Sequence, residues 1–334
     1  MTERIRPADL SDLEAMAPLL VADARAREAL LPGLWPVAGD AGARVTDAIR
    51  RALSAEAPPF RQHWLVAEAA GRITGLAHSI RLPVPPIYAG VFGAPGLIME
   101  DCCTPPDAPA DLRARLLAAA ETDLRQDGAE VLLASSVAGG DWADTMAEAG
   151  YAPLTLYLAR AGLRAAADGG VRPAREADLP GIVAASARSR AVLHRLDPFW
   201  QPHEEAAARF GAWMGKSLTL PDRDMFVSGD GGAVSGYAIS NPATPLHFPP
   251  AHDITRIGVI DDFHHAEMED PDALQGDGTG ARALLAAAEG ALHARGNAAA
   301  LVVCPAAWTS KRAVLEAEGY ETALVWWIRR EARA

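Results

Sequence analysis

Apolar positions in this chain alternate singly, then recur every third and fourth residue, then alternate again, and the whole cycle occurs twice. Trp64 to Glu68 and Ile73 to Ala77 alternate around the turn Ala69-Ala70-Gly71-Arg72, which predicts a hairpin. Met225 to Ser228 and Ala233 to Ala238 do the same around Gly229 to Gly232. Before each hairpin stand a short apolar strand (at Ile5 and at Val171) and a helix, Asp9 to Leu20 and Glu176 to Ala187, opened by acidic or hydroxyl residues. Irregular helical stretches bearing proline and tryptophan follow, 29–52 and 192–218. After each hairpin comes a strand with acids in it, Leu97 to Cys102 and Ile257 to Phe263. An Ala/Leu-rich amphipathic helix succeeds it, 111–126 and 280–295, with Gly128 and Gly296 at the C-cap position. Each half closes with a buried strand, a helix and a final strand at 154–158 and 324–328.

The repetition is also literal. Ile5-Arg6-Pro7-Ala8 with Asp12-Leu13 returns as Val171-Arg172-Pro173-Ala174 with Asp178-Leu179, at one constant spacing. Trp35-Pro36 answers Trp200-Gln201-Pro202, 115–121 answers 283–289, and Gly150-Tyr151 answers Gly319-Tyr320, always in the same order. An ordered series of matches implies a duplicated unit. We expect a first domain over 1–162, a linker over 163–170 and a second domain over 171–334.

Composition narrows the function. The 334 residues suffice for two cores, and 50% hydrophobic content is that of a globular chain. A net charge of −12 leaves no basic stripe to neutralise phosphates and argues against nucleic acid. Lys216 and Lys311 are the only lysines in an arginine-rich chain. Cys102, Cys103 and Cys304 have neither zinc spacing nor a framework pattern, which fits a reducing, cytoplasmic compartment. No signal core and no apolar run of membrane-spanning length is present, so no membrane role is expected.

Two places carry candidate chemistry. Gln275-Gly276-Asp277-Gly278-Thr279-Gly280 runs directly into the helix from Ala281. Glycines permit positive φ and close backbone approach, and a helix N-terminus offers unpaired N–H groups to an anion. The loop lacks the Lys-Ser/Thr of a nucleotide P-loop and is not the dinucleotide fingerprint, and such a turn on its own is commonly only a turn. The second place is the strand Gly258 to His265. Asp261 and Asp262 sit within it, where carboxylates are uncommon, and Glu100-Asp101 stand at the matching point of the first repeat. They are either a general base or a structural ion pair. The segment Phe263 to Leu274, with His264, His265, Glu267 and Glu269, is extra in the second repeat and reads as a solvated acidic loop. The first repeat replaces the glycine loop with Thr104 to Asp111, which has three prolines and no glycine.

A helix pair, a hairpin, a strand, then Gln-x-x-Gly-x-Gly opening a helix, followed by strand, helix, Gly-Tyr and a last strand, resembles the GCN5-related N-acetyltransferase family. Gln275, Gly278 and Gly280 fit that family's Arg/Gln-x-x-Gly-x-Gly/Ala loop, and the resemblance covers nearly the whole chain as two tandem domains. It implies an α/β (α+β) fold, each repeat a mixed, mostly antiparallel central sheet with helices on both faces and a splayed parallel strand pair. It implies acetyl-CoA as acyl donor, its arm lying between the splayed strands of the second repeat, and direct attack by a primary amine of a small molecule. Donor contacts fall on Phe263, His264, Gln275, Gly276, Asp277, Gly278, Thr279, Gly280 and Ala281. Asp262, then Asp261, are the candidate bases, with His265 as a proton shuttle. Trp35, Phe199 and Trp200 lie in the regions that wall the acceptor, and no metal is needed. The tyrosine that many members place four residues before the final Gly-aromatic pair is absent: Met146 and Leu315 stand there. That absence leaves open a non-catalytic acyl-CoA-binding or sensing protein, beside a mycothiol-synthase-like tandem acetyltransferase. A monomer or a homodimer is expected.

Overall fold

The computed structural model describes residues 3–56, 60–165, 170–229, 233–245 and 248–330. Linker residues 166–169 and turn residues 230–232 lie outside them. The first half runs β1 (Arg4–Pro7), α1 (Leu13–Leu30), α2 (Ala41–Ser54), β2 (Gln62–Ala69), β3 (Arg72–Arg81), β4 (Pro95–Ile98), α3 (Leu112–Gln126), β5 (Val131–Val137), α4 (Trp142–Glu148) and β6 (Ala152–Ala161). The second repeats that order: β7 (Val171–Pro173), α5 (Leu179–Leu196), α6 (Ala206–Ser217), β8 (Asp224–Ser228), β9 (Gly236–Pro242), β10 (Ile257–His265), α7 (Thr279–Ala294), β11 (Ala299–Pro305), α8 (Thr309–Ala317) and β12 (Glu321–Arg329).

Strand alternation sorts the helices onto two faces. On β2, Trp64 and Val66 pack with Met16, Leu20, Val45 and Ile49 of α1 and α2. The intervening Leu65 and Ala67 pack with Leu112, Leu116 and Met146 of α3 and α4. On β8 and β9, Met225, Val227, Tyr237 and Ile239 meet Ile182, Phe210 and Met214 of α5 and α6. Phe226 and Ala238 meet Leu284, Leu285, Val314 and Leu315 of α7 and α8. The fold is therefore a mixed sheet with helices on both faces in each half.

The literal echo has a physical cause. Arg6 forks onto Asp12 at 2.7 and 2.9 Å, and Asp12 also accepts from the Asp9 amide at 2.9 Å. Arg172 forks onto Asp178 at 2.7 and 2.6 Å, and Asp178 accepts from the Arg175 amide at 2.8 Å. The same two-pronged, charge-assisted contact starts each half's first helix.

All strands form one 12-stranded sheet, ordered β1-β2-β3-β4-β5-β12-β6-β11-β10-β9-β8-β7. The last strands are exchanged. β12, from the end of the chain, pairs antiparallel with β5 of the first half, Leu324 opposite Val137. β6 pairs antiparallel with β11 of the second half, Leu158 opposite Val302. β6 and β12 pair with each other at the centre. Each half supplies the strand that covers the other's edge.

Each half also contains one parallel pair that splays. β4 follows β5 from Pro95/Val131 to Ile98/Ala134 and then leaves it. β10 follows β11 from Ile257/Ala299 to Ile260/Val302 and then leaves it. Past the fork β10 stays with β9 only, and its register slips between Ile260 and Asp262, a bulge at Asp261.

Candidate active site

The fork of β10 and β11 opens into a cavity of about 570 Å³. Asp261 and Asp262 enter it from β10, Val303 and Pro305 from β11, Trp308 and Lys311 from α8. Phe210, Trp213 and Met214 of α6 and Ser189 and Leu193 of α5 wall it. The segment Pro85–Tyr88 crosses from the first half to close one side, with Tyr88 bridged to Pro202. Thr155, on exchanged β6, lines the floor.

Burial governs the electrostatics. It raises the Asp262 carboxyl to about 6, and neighbouring Asp261 adds to this, while the Tyr237 hydroxyl, Lys311 and Arg190 pull the other way. Lys311 is almost fully buried, donates to the Phe263 carbonyl at 2.8 Å and stands over the rings of Phe263 and Trp308 at 5.5 and 5.4 Å. Burial lowers its pKa against the opposing pull of Cys304 and Asp262. Asp262 thus titrates near neutrality beside a cation, inside a cavity, which is the environment of a general base.

The other sequence-derived residues divide sharply. Trp200 lines the cavity. Phe199 lies against Trp200 at 4.8 Å, edge to face, outside it. Trp35 is fully buried between the halves, against Phe248 at 5.0 Å and His252 at 5.2 Å, and does not line the second-half cavity. His264 is buried beside Glu269 at 3.3 Å and burial lowers its pKa to about 4. His265 lies outside the cavity, over the start of α7. Its Cε1 would be 2.5 Å from a Cβ on Gly280, so that glycine admits the imidazole. Phe263 belongs to the core under Lys311.

The glycine loop does bend as its composition requires, with φ +62° at Gly276 and +71° at Gly278. Several of its amides, however, are already taken. Glu267 accepts from Gly280 N at 3.2 Å and Ala281 N at 2.8 Å, and Asp277 accepts from Thr279 N at 3.1 Å. Gln275 N donates to the Glu267 carbonyl. The acidic insert is pinned to the core at Met268, while Asp270 and Asp272 stay exposed. Met268 is fully buried, Trp308 Nε1 donates to its carbonyl at 2.8 Å, and Ser310 Oγ donates to the Asp270 carbonyl at 2.6 Å. A pyrophosphate here would compete with the Glu267 carboxylate for the Gly280 and Ala281 amides at the first turn of α7.

The first half inverts this pattern. Its fork is open, about 250 Å³ between Thr104 and Arg113 on one side and Ser136, Gly139 and Trp142 on the other, and no side chain caps α3. Its acceptor region is filled instead. Pro249 to His252 cross from the second half onto Leu20, Arg27 and Trp64 and leave about 10 Å³. Glu100 and Asp101 there are buried in a charge cluster: Asp101 pairs with His78 at 2.8 Å, Arg27 donates to the Glu100 carbonyl, and Trp64 stacks on His78 at 3.9 Å.

Two splayed forks in one sheet, each followed by a helix, strand, helix and returning strand, decide the comparison. The fold is that of the tandem GCN5-related N-acetyltransferases. One similar structure is a tandem protein from the clavulanic acid biosynthesis pathway, 16% identical, covering 100% of both chains at a TM-score of 0.50. Another is a GCN5-related N-acetyltransferase from Sphaerobacter thermophilus, 16% identical, covering 99% of this chain and 97% of that one at 0.56. A third is a glucosamine N-acetyltransferase region of a fungal multi-domain β-N-acetylglucosaminidase, 16% identical, covering 98% of this chain and 38% of that one at 0.52. Neither a family model nor a curated relative matches the sequence. Among the described residues no group of three or more His, Cys, Asp or Glu side chains could hold a metal, and no helix is long and apolar enough to cross a membrane. At the two tyrosine-equivalent positions, Met146 and Leu315 are fully buried core residues.

Sequence reasoning missed Lys311, Tyr88, Phe210, Trp213 and Arg223. Only Lys311 had a signal, a rare lysine on the apolar side of an amphipathic helix. The others reach the cavity from elements whose mutual placement the sequence pattern does not encode.

Proposed function

We propose that this chain is a GNAT-type, acyl-CoA-dependent N-acyltransferase that acts on a small primary amine held in the second-half cavity. The observation that carries this reading is Asp262, a carboxyl at the strand fork of this fold, raised to about 6 and facing a cavity of about 570 Å³. Cavities of this size suit small ligands. Ionised above pH 6, Asp262 accepts the proton that an amine nitrogen sheds as its bond to an acyl carbon forms and its pKa falls. Lys311 sustains that ionised form. The apolar walls exclude competing water. Acetyl-CoA is the donor we favour, and its role would be to supply the acyl group as a thioester. Glu267 has to yield the α7 amides for a pyrophosphate to occupy them.

The Glu267 cap favours one second reading, a ligand-binding protein without turnover. Thiol release from acetyl-CoA, followed against a panel of small primary amines, separates the two. Amine-dependent release that Met214→Trp suppresses by filling the cavity supports acyl transfer. No release above the uncatalysed rate leaves the binding protein, and release without amine dependence, which is hydrolysis of the thioester, contradicts both.

A further inference from the structure

Charged groups that line a cavity without a close counter-charge are informative, because burial penalises them. Asp261 and Asp262 line the second-half cavity with no salt bridge within 4 Å among the described residues, Lys311 and Arg190 acting on Asp262 only from farther off. Of its cations, Arg209 is engaged by Glu205 at 2.5 Å and the Pro86 carbonyl at 2.6 Å, and Lys311 by the Phe263 carbonyl. Arg223 is different. It has no carboxylate partner among the described residues, only a long contact to Ser217 at 3.4 Å, and its Nε is buried with no hydrogen-bond partner. Its guanidinium lies 4.9 Å from the Trp213 ring centroid, which holds it in place.

Two further wall groups are orphaned. Trp200 Nε1 and Thr155 Oγ1 are buried without partners, and Thr155 is only 4% exposed. Buried polar atoms are nearly always satisfied, so orphans that converge on one cavity mark what a ligand supplies. The cavity offers anions on β10, a cation beside α6, spare N–H and O–H groups, and between them the apolar surface of Phe210, Trp213 and Met214. A ligand of one charge would leave one pole unpaired, at a cost in desolvation.

We propose that the acceptor is an amino-carboxylate: a primary amine at Asp261–Asp262, a carboxylate at Arg223, and an apolar or aromatic body between them. Trp200 Nε1 and Thr155 Oγ1 take the remaining oxygens. This rests on the second-half cavity being the acceptor site, and it is tested by binding alone, so that failure of turnover leaves it measurable.

The experiment is isothermal titration of the full chain, without donor, with the natural amino acids, their decarboxylated amines and their deaminated acids. At least one apolar or aromatic amino acid should bind, with both its amine and its acid analogue weaker by roughly tenfold or more. Arg223→Gln should abolish the preference over the amine, and Arg223→Lys should keep part of it, which guards against misfolding as the cause. Asp262→Asn should reduce the preference over the acid. An amine that binds as tightly as its parent amino acid overturns the proposal. So does an undiminished preference in folded Arg223→Gln, or a panel in which no amino acid binds.

Discussion

Asp262 and Asp178 are carboxyls under opposite demands, and pH separates them. Burial holds Asp262 at about 6, above its ordinary value of 3.8, so the folded state keeps its proton longer than the unfolded chain does. Stability therefore falls as pH rises from about 4 to 6 and stays lower above that range. Asp262→Asn removes this cost and should be more stable than wild type at pH 8, by on the order of 1–3 kcal/mol, with no advantage at pH 4. Equal denaturant midpoints at pH 8 would show that the carboxylate is solvated. Asp178 is held at about 2, chiefly by the Arg172 fork. Its contribution is present above about 4 and disappears as pH falls through 2. Asp178→Asn should cost about 1–2 kcal/mol at pH 7, and the deficit should shrink below pH 3. This fork was legible in the sequence, because both partners lie within six residues and recur in both halves. Trp35 was not. Its partners Phe248 and His252 come from the other half, and a tryptophan in a helical region looks alike whether it lines a wall or fills a core.

At the N-terminus of α7 the sequence announced a loop able to hold an anion, and the chain supplies its own. Gly276 and Gly278 need their positive φ, so the turn was readable from composition. Glu267 was not readable as its occupant, since it reaches Ala281 across 14 residues through an insert whose packing depends on Trp308 and Ser310. Glu267→Gln removes a charge-assisted cap and should cost about 1 kcal/mol of stability. It should also tighten CoA binding by roughly tenfold, because a larger fraction of molecules then present unoccupied amides. Calorimetry on both proteins checks this, and unchanged affinity would mean that donor binding and the α7 cap are unrelated. Gly280→Ala would place a Cβ 2.5 Å from His265 and should disorder the same cap.

For the molecule as a unit, the exchanged strands matter most. The order of elements was legible because each half repeats it, and the two-faced sheets follow from alternation on β2, β8 and β9. The exchange was not, because β6 and β12 carry similar apolar patterns and either would satisfy either edge. With β12 seated on β5 and β6 on β11, neither half has a complete sheet alone. Urea unfolding followed by fluorescence and by circular dichroism should give one coincident transition, and residues 1–150, which end before β6, should aggregate through the bare edge of β5 when expressed alone. Two separated transitions would show that the halves hold together independently. The exchange also bears on chemistry: it brings Thr155 of the first half into the second-half cavity, and Tyr88 reaches the same wall from the first half, so that site belongs to both.

The most direct measurement is the pH profile of kcat/KM for acetyl-CoA-dependent acylation of an amine acceptor, in wild type and in Asp262→Asn. Wild type should lose rate below an inflection near pH 6. Asp262→Asn should be slower by about 10²–10⁴-fold and lack that inflection. A variant that keeps both the wild-type rate and the acidic limb would contradict Asp262 as the base and the cavity as the place of reaction.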